Sequence, residues 1–253
     1  MHDNTYFLKV QNAAGYDNFR AESIGLSLLT HANIIHAPSL ILVDTFDKYS
    51  YLLMDWLELD GPKNFQQFGR QLAQLHRKDS QNFYGLSTNN FIGSSLQDND
   101  PQRNCQESWA QFFCEKRLKP QLDMALRQFD FSISKKLLLA KCYAKLADHQ
   151  PSASLLHGDL WSGNVGFNAA GSAVIFDPAC YYGDRETDIA YTELFGGFPS
   201  EFYQAYRQEW PLESAYHSRK VTYNLYHQLN HLNLFGRSYF NQCESAMRSI
   251  LDR

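Results

Sequence analysis

The stretch HGDLWSGNVGFNAAGSAVIFDPA, residues 157–179, constrains this chain more than any other part of it. Asp159, Asn164 and Asp177 stand in a mostly apolar, glycine-rich run. A charge buried there is costly unless it is paired or binds a metal. Between Asn164 and Asp177 lie two short apolar runs, 165–167 and 173–176, with turn residues at 168–171. Two such runs around a turn read as a tight hairpin. A hairpin returns the chain to its start, so Asn164 and Asp177 come together. The plainer reading is a turn with capping aspartates, because Asp and Asn bond their own backbone in turns.

Composition narrows the class. The chain has 253 residues, enough for one or two domains with a real core. Hydrophobic residues make up 44% and charged residues 20%, as in an ordinary globular protein. A net charge of −4 argues against a nucleic-acid partner held by general electrostatic attraction. The five cysteines are odd in number and contain no C-x-x-C, which reads as reduced thiols in a cytoplasmic protein. The start, MHDNTYFLKV, lacks the basic and apolar regions of a signal peptide. No apolar run approaches membrane-spanning length, so no membrane partner is expected.

Along the chain, residues 5–10 (TYFLKV) read as a strand. Residues 17–30 read as a helix capped by Asp17. Residues 39–46 and 49–57 read as strands joined at Asp47 and Lys48. A helix over 64–77 follows the Gly61-Pro62 breaker. Residues 80–101 read as a loop, and 106–128 and 132–148 as helices, the second starting at Ser132. After the hairpin, helices are expected near 187–195, 199–208, 214–235 and 239–251. The expected class is α+β: a small antiparallel-sheet lobe over 1–57 and a mostly helical lobe over 58–253, with a ligand cleft between them.

The spacing H-G-D-L-x-x-x-N matches the catalytic loop of protein kinases, H-R-D-L-x-x-x-N, with Gly158 in place of Arg. In that chemistry Asp159 orients the acceptor hydroxyl or takes its proton. Asn164 and Asp177 hold magnesium against the phosphates of ATP. A phosphate-binding lysine on a front strand should pair with a helix glutamate, and Lys9 and Glu22 fit those places. The strand ending in YLLMDWL then offers Met54 behind the adenine and backbone groups near Asp55 and Leu57 along its edge. Arg185 and Glu186 are either substrate contacts or an ion pair. Asp188 either stiffens the catalytic loop or favours the start of its own helix. His227 and His231, in HQLNH, have the spacing of a zinc motif without its glutamate. His231 reads better as a packed or substrate-facing histidine.

The motifs LLHGDLWSGN, DPACYYGDRETDIAYTELFGGFP, WAQFFCEKRLKPQL and LYHQLNHLNLFG resemble the fructosamine kinases, or ketosamine-3-kinases, over nearly the whole chain. That family sits in the protein-kinase-like aminoglycoside and choline phosphotransferase superfamily. The resemblance implies transfer of the ATP γ-phosphate to the 3-hydroxyl of a fructosamine, ribulosamine or erythrulosamine, free or on a glycated protein lysine. The phosphorylated adduct falls off, so the implied role is protein deglycation. Asp159 then maps to the base, Asn164 and Asp177 to metal, Lys9 to ATP phosphate, and Trp161 to the substrate side. The rivals are another small-molecule kinase of this superfamily and a non-catalytic nucleotide-binding scaffold. The scaffold reading draws on the front of the chain. Only eight residues precede Lys9 and no G-x-G-x-x-G occurs, so two strands and a phosphate loop of the family are expected to be missing. The strand of Lys9 would then be an exposed edge that invites self-association.

Overall fold

The computed structural model describes residues 5–78, 80–99 and 108–252. In chain order its elements are β1 (Tyr6–Asn12), α1 (Tyr16–Ala32), β2 (Leu40–Phe46), β3 (Tyr49–Asp55), α2 (Phe65–Lys78), β4 (Ser80–Gln81), β5 (Asn90–Ile92), β6 (Ser95–Gln97), α3 (Trp109–Phe112), α4 (Lys119–Gln128), α5 (Lys135–Leu146) and β7 (Ala153–Leu156). There follow β8 (Val165–Phe167), β9 (Ala173–Ile175), β10 (Tyr181–Gly183), α6 (Glu186–Thr192), α7 (Ser200–Glu209), α8 (Tyr216–Phe235) and α9 (Phe240–Leu251). They form two compact units that do not follow chain order. The first holds the described residues up to 78 with 157–180 and 195–211; the second holds those of 80–156, 181–194 and 212–252.

The first unit begins with an antiparallel sheet in the order β1-β3-β2. Lys9 pairs in register with Leu52, and Phe7 with Met54. Alternation along β3 buries Ser50, Leu52 and Met54 on one face. Phe19 and Leu26 of α1 pack there with Leu52 and Met54. Asp17 lies inside the first turn of α1, after a glycine N-cap, and so does not cap it. Its carboxylate can still favour the positive end of the helix dipole. Asn33 ends the helix in the left-handed conformation, φ 52°. β1 is an edge strand in which Tyr6, Leu8 and Val10 are exposed. Asn64 caps α2 by accepting from the Gln67 N–H at 3.0 Å. Phe68, Leu72 and Leu75 form the buried stripe of α2. Gly69 lets the α7 backbone come close, since a Cβ there would lie 2.2 Å from the Phe202 carbonyl oxygen.

In the second unit, β10, β7 and β4 form a short sheet and β5 pairs with β6. That hairpin occupies part of the segment expected to be a loop. Its three-residue strands are too short to show a period. The helical segment expected over 106–128 is α3 and α4 joined through a π-helical stretch, Phe113–Leu118; residues 106 and 107 lie outside the described residues. The next helix starts later than expected. Ser134, not Ser132, caps α5 by accepting from the Leu137 N–H. Four cysteines, 114, 142, 180 and 243, are buried and in no disulfide among the described residues; Cys105 lies outside the described residues. No described helix is long and apolar enough to cross a membrane.

A charged network is buried in this second unit. Arg219 donates to both carboxylate oxygens of Glu186 at 2.7 Å. His149 Nε2 meets Asp184 at 2.9 Å, and the Tyr223 hydroxyl donates to the same carboxylate at 2.6 Å. Burial lowers the pKa of His149, but the Asp184 bond and charge, with Glu186, outweigh burial and the opposing Arg219 and hold it above its ordinary value. A folded pKa above the unfolded one gives stability that is complete below about 6.5 and lost as pH rises through the folded value. The melting temperature should therefore fall from pH 6 to pH 8 more steeply in the native protein than in His149→Gln. The groups facing His149 are Asp184, Glu186 and Glu213, with Arg219 beside them. Parallel melting curves for the two proteins across that range would remove His149 from the pH response.

Candidate active site

The site in the first unit is built from β1, α1, the end of β3 and the hairpin β8–β9. Lys9 lies on the covered face of β1, two residues from Phe7. Its ammonium donates to Glu22 of α1 at 2.7 Å and to Asp177 at 2.5 Å. Burial alone lowers the lysine pKa; Glu22 and then Asp177 outweigh it and hold it above the ordinary value. Glu22 is also held up, because its burial outweighs the attraction of Lys9. The lysine is thus a firm cation held between two carboxylates.

The stretch 157–164 is ordered by its own short-range bonds. His157 is fully buried. Its Nδ1 accepts from the Asp159 N–H at 3.3 Å, which assigns the ring proton to Nε2, and Nε2 donates to the Phe176 carbonyl at 3.0 Å. One imidazole therefore ties the loop at Asp159 to the residue before Asp177. The β8–β9 hairpin pairs Val165 with Ile175, and the Phe176 N–H donates to the Asn164 carbonyl. Asn164 and Asp177 are brought to the same end of that hairpin. The Asn164 amide donates to the Asp159 carbonyl at 2.8 Å and its carboxylate at 3.1 Å.

Gly158 stands where the kinase spacing has arginine, and the backbone explains it. Its φ is +79°, and a Cβ would lie 2.1 Å from the Ala179 carbonyl oxygen. Asp177 also has a left-handed backbone, φ 56°. Asp tolerates that conformation better than most residues, and such positions cluster at functional sites. The turn directs a half-exposed carboxylate toward Lys9.

A cavity of about 600 Å³ opens beside these groups, lined by Lys9, Met54, Asp55, Leu57 and Asp177 among others. Sequence reasoning placed Lys9, Met54, Asp55 and Leu57 at a nucleotide and Asp177 at its metal. The N–H of Asp55 is taken by the Ser39 carbonyl at 3.1 Å, so that donor is not open to a ligand. Phe7 and Trp56 also line the cavity and stack on each other, ring centroids 6.2 Å apart. Sequence reasoning passed over both. The signal was present for Phe7, which shares a strand face with Lys9.

The donor set suits a hard divalent cation. Asp177 offers a carboxylate and Asn164 an amide oxygen, while the Asn164 nitrogen is directed to Asp159. Among the described residues the three-residue cluster with metal-like spacing is elsewhere, at His149, Asp184 and Glu186. There Arg219 already occupies both Glu186 oxygens. Of the HQLNH histidines, His231 bonds the His227 carbonyl through Nδ1 at 2.9 Å, as a packed histidine on its own helix would.

The remaining predicted residues lie as follows. Trp161 is 37% exposed, and its indole lies over Gly163, where a Cβ would come within 2.3 Å of the ring. Arg185 and Glu186 are buried in the second unit, Glu186 in the Arg219 pair. Asp188 is buried in the first turn of α6. His231 is half-buried on α8 beside Tyr239, with ring centroids 5.1 Å apart.

Known proteins match this arrangement along the chain. The fructosamine kinase family model covers residues 1–253. A probable ketoamine kinase of Vibrio parahaemolyticus is 41% identical over 252 residues, covering 98% of this chain and 86% of that one. A crystal structure named "Putative fructosamine-3-kinase", from Haemophilus somnus, superposes with a TM-score of 0.92 at 34% identity, covering 98% of this chain and 84% of that one. A choline kinase from Streptococcus pneumoniae shares the fold alone, with a TM-score of 0.63 at 13% identity over 98% of this chain and 88% of that one. The fold is α+β and kinase-like, with small antiparallel sheets and many helices. With the match spanning its whole length, the chain belongs to the fructosamine kinase family.

Proposed function

We propose that this protein is an ATP-dependent ketosamine-3-kinase. The observation that carries the reading is the grouping of Lys9, Glu22 and Asp177 at a 600 Å³ cavity, in the same unit as the Asp159–Asn164 pair. Lys9 supplies fixed positive charge for the phosphates, and Glu22 holds its position. Met54, Asp55 and Leu57 flank the base, with Phe7 and Trp56 as apolar walls. Asn164 and Asp177 would hold magnesium, which when bound spreads the charge of the phosphate oxygens. Asp159 accepts the proton of the attacking hydroxyl. The substrate oxygen forms a bond to the γ-phosphorus, the bond from that phosphorus to the bridging oxygen breaks, and ADP leaves. Trp161 offers an exposed indole face to the sugar side of the loop.

The family and the names of its members support this acceptor class. A sugar phosphorylated at its 3-oxygen can eliminate phosphate and release the amine, which gives a deglycation role. Buried cysteines outside any disulfide among the described residues suit a reducing cytoplasm. The test is turnover with ATP and magnesium on ribulosamine, erythrulosamine and fructosamine adducts, choline and an aminoglycoside. Phosphorus NMR would locate the new ester. Ketosamines should turn over fastest and carry the phosphate on the 3-oxygen. Faster turnover of choline or the aminoglycoside would overturn the substrate assignment, and nucleotide binding without any turnover would favour the scaffold.

A further inference from the structure

The bond between Lys9 and Asp177 sets two duties of the site against each other. Lys9 is the group for the phosphates and Asp177 a group for the metal, yet the ammonium donates to Asp177 Oδ1 at 2.5 Å. An ammonium on one oxygen of a carboxylate opposes a divalent ion on the other, because two like charges would then lie close together. A carboxylate against the ammonium likewise repels a phosphate that approaches it. Each ligand therefore meets its group already engaged.

Both groups have somewhere else to turn. Lys9 keeps its bond to Glu22, at 2.7 Å, when it leaves Asp177. Asp177 stands at the same end of the β8–β9 hairpin as Asn164, the other residue on the metal side. The Lys9 side chain is 23% exposed and that of Asp177 47%, so packing does not hold the pair shut. A metal alone must break the pair, and so must the phosphates alone. A metal and phosphates that bind together break it once. That difference is a coupling free energy in favour of joint binding.

We propose that the Lys9–Asp177 ion pair is a lock that a divalent metal and the nucleotide phosphates open together, so that either one alone binds weakly. The proposal rests on the kinase reading above and adds how the site selects the metal-loaded nucleotide.

Binding measurements on the full chain test it without turnover. Manganese stands in for magnesium in the absence of nucleotide, and its free ion is counted by electron paramagnetic resonance. ATP is titrated by calorimetry in EDTA. Lys9→Met frees Asp177, and Glu22→Gln in the same chain keeps Glu22 from being stranded as a buried charge. This double variant should bind manganese alone at least ~5-fold more tightly than the native protein, a modest gain because both side chains of the pair are partly exposed. Asp177→Asn frees Lys9 and keeps a residue that tolerates the left-handed backbone. It should bind metal-free ATP at least ~5-fold more tightly than the native protein. In the double-variant background, which has no ammonium to free, Asp177→Asn should change that affinity by less than about twofold. Absence of either gain would show that the pair opens at no cost, and an equal ATP gain in both backgrounds would show that the charges act only through space. Each of these results overturns the lock, while tight native binding of magnesium-loaded ATP leaves the kinase reading intact. A native protein that binds ATP neither with magnesium nor without it would overturn both.

Discussion

Asp159→Asn is expected to lower ketosamine turnover at least ~100-fold while leaving the fold and ATP affinity close to native. The amide has the shape of the carboxylate but cannot accept a proton from the substrate hydroxyl. General bases contribute on the order of 10²–10⁴ in rate. Phosphoryl transfer through a loose transition state draws much of its rate from positioning, so the lower end of that range is the safer expectation. The loop should survive because its ties do not depend on the lost charge. Asn164 still donates to the Asp159 carbonyl at 2.8 Å, and His157 still links the Asp159 N–H to Phe176. ATP affinity should survive because Lys9, Glu22 and Asp177 form a separate set of contacts. Calorimetric ATP titration beside steady-state turnover separates the two effects. Turnover near native in the variant would take Asp159 out of the chemistry; a loss of ATP binding in step with turnover would make it a structural residue.

The parts of this site that were legible in the sequence are those governed by local rules. Two apolar runs around Asn168–Gly171 make a hairpin, and the structure pairs Val165 with Ile175 and Phe167 with Ala173. Strand β1, helix α1 and strands β2 and β3 follow from alternation, spacing and a turn at Asp47, whose φ of 54° suits an aspartate. Other features depend on partners far along the chain. Arg185 and Glu186 read as substrate contacts or a surface ion pair, yet Asp184 and Glu186 are each no more than 2% exposed. Their partners His149, Arg219 and Tyr223 are 33 to 39 residues away, and no local pattern announces them. β7 and β10 are buried at every position and only four and three residues long, so periodicity has nothing to show. The π-helical turn at Phe113–Leu118 lies in a segment whose helical character is legible while its hydrogen-bond register is not. Gly158 is the intermediate case. Its departure from the kinase spacing is visible, but the reason, a positive φ against the Ala179 carbonyl, is visible only in three dimensions.

Arg219→Met should cost about 3–5 kcal/mol, because it leaves one charge of a buried pair without its counter-ion. The two Arg219 bonds to Glu186 are both 2.7 Å, and the side chains are 5% and 2% exposed. Burial already raises the Glu186 pKa against the opposing pull of Arg219. Without the guanidinium, His149 still stands near, with Nε2 3.9 Å from the carboxylate. Glu186 would then take up a proton or draw in water, and both weaken the unit. At roughly 2–4 °C per kcal/mol for a chain of this size, the melting temperature should fall by roughly 6–20 °C. Replacing both partners tests the cause. The double variant Arg219→Met with Glu186→Met removes the stranded charge and should recover much of the loss, because apolar side chains of similar volume often replace a buried pair at little cost. Calorimetric melting of the native protein, both single variants and the double variant closes the cycle. Additive losses in the double variant would mean that the pair is not coupled. An unchanged melting temperature in Arg219→Met would mean that the carboxylate is solvated in the folded protein, which would return Glu186 to the candidates for substrate contact.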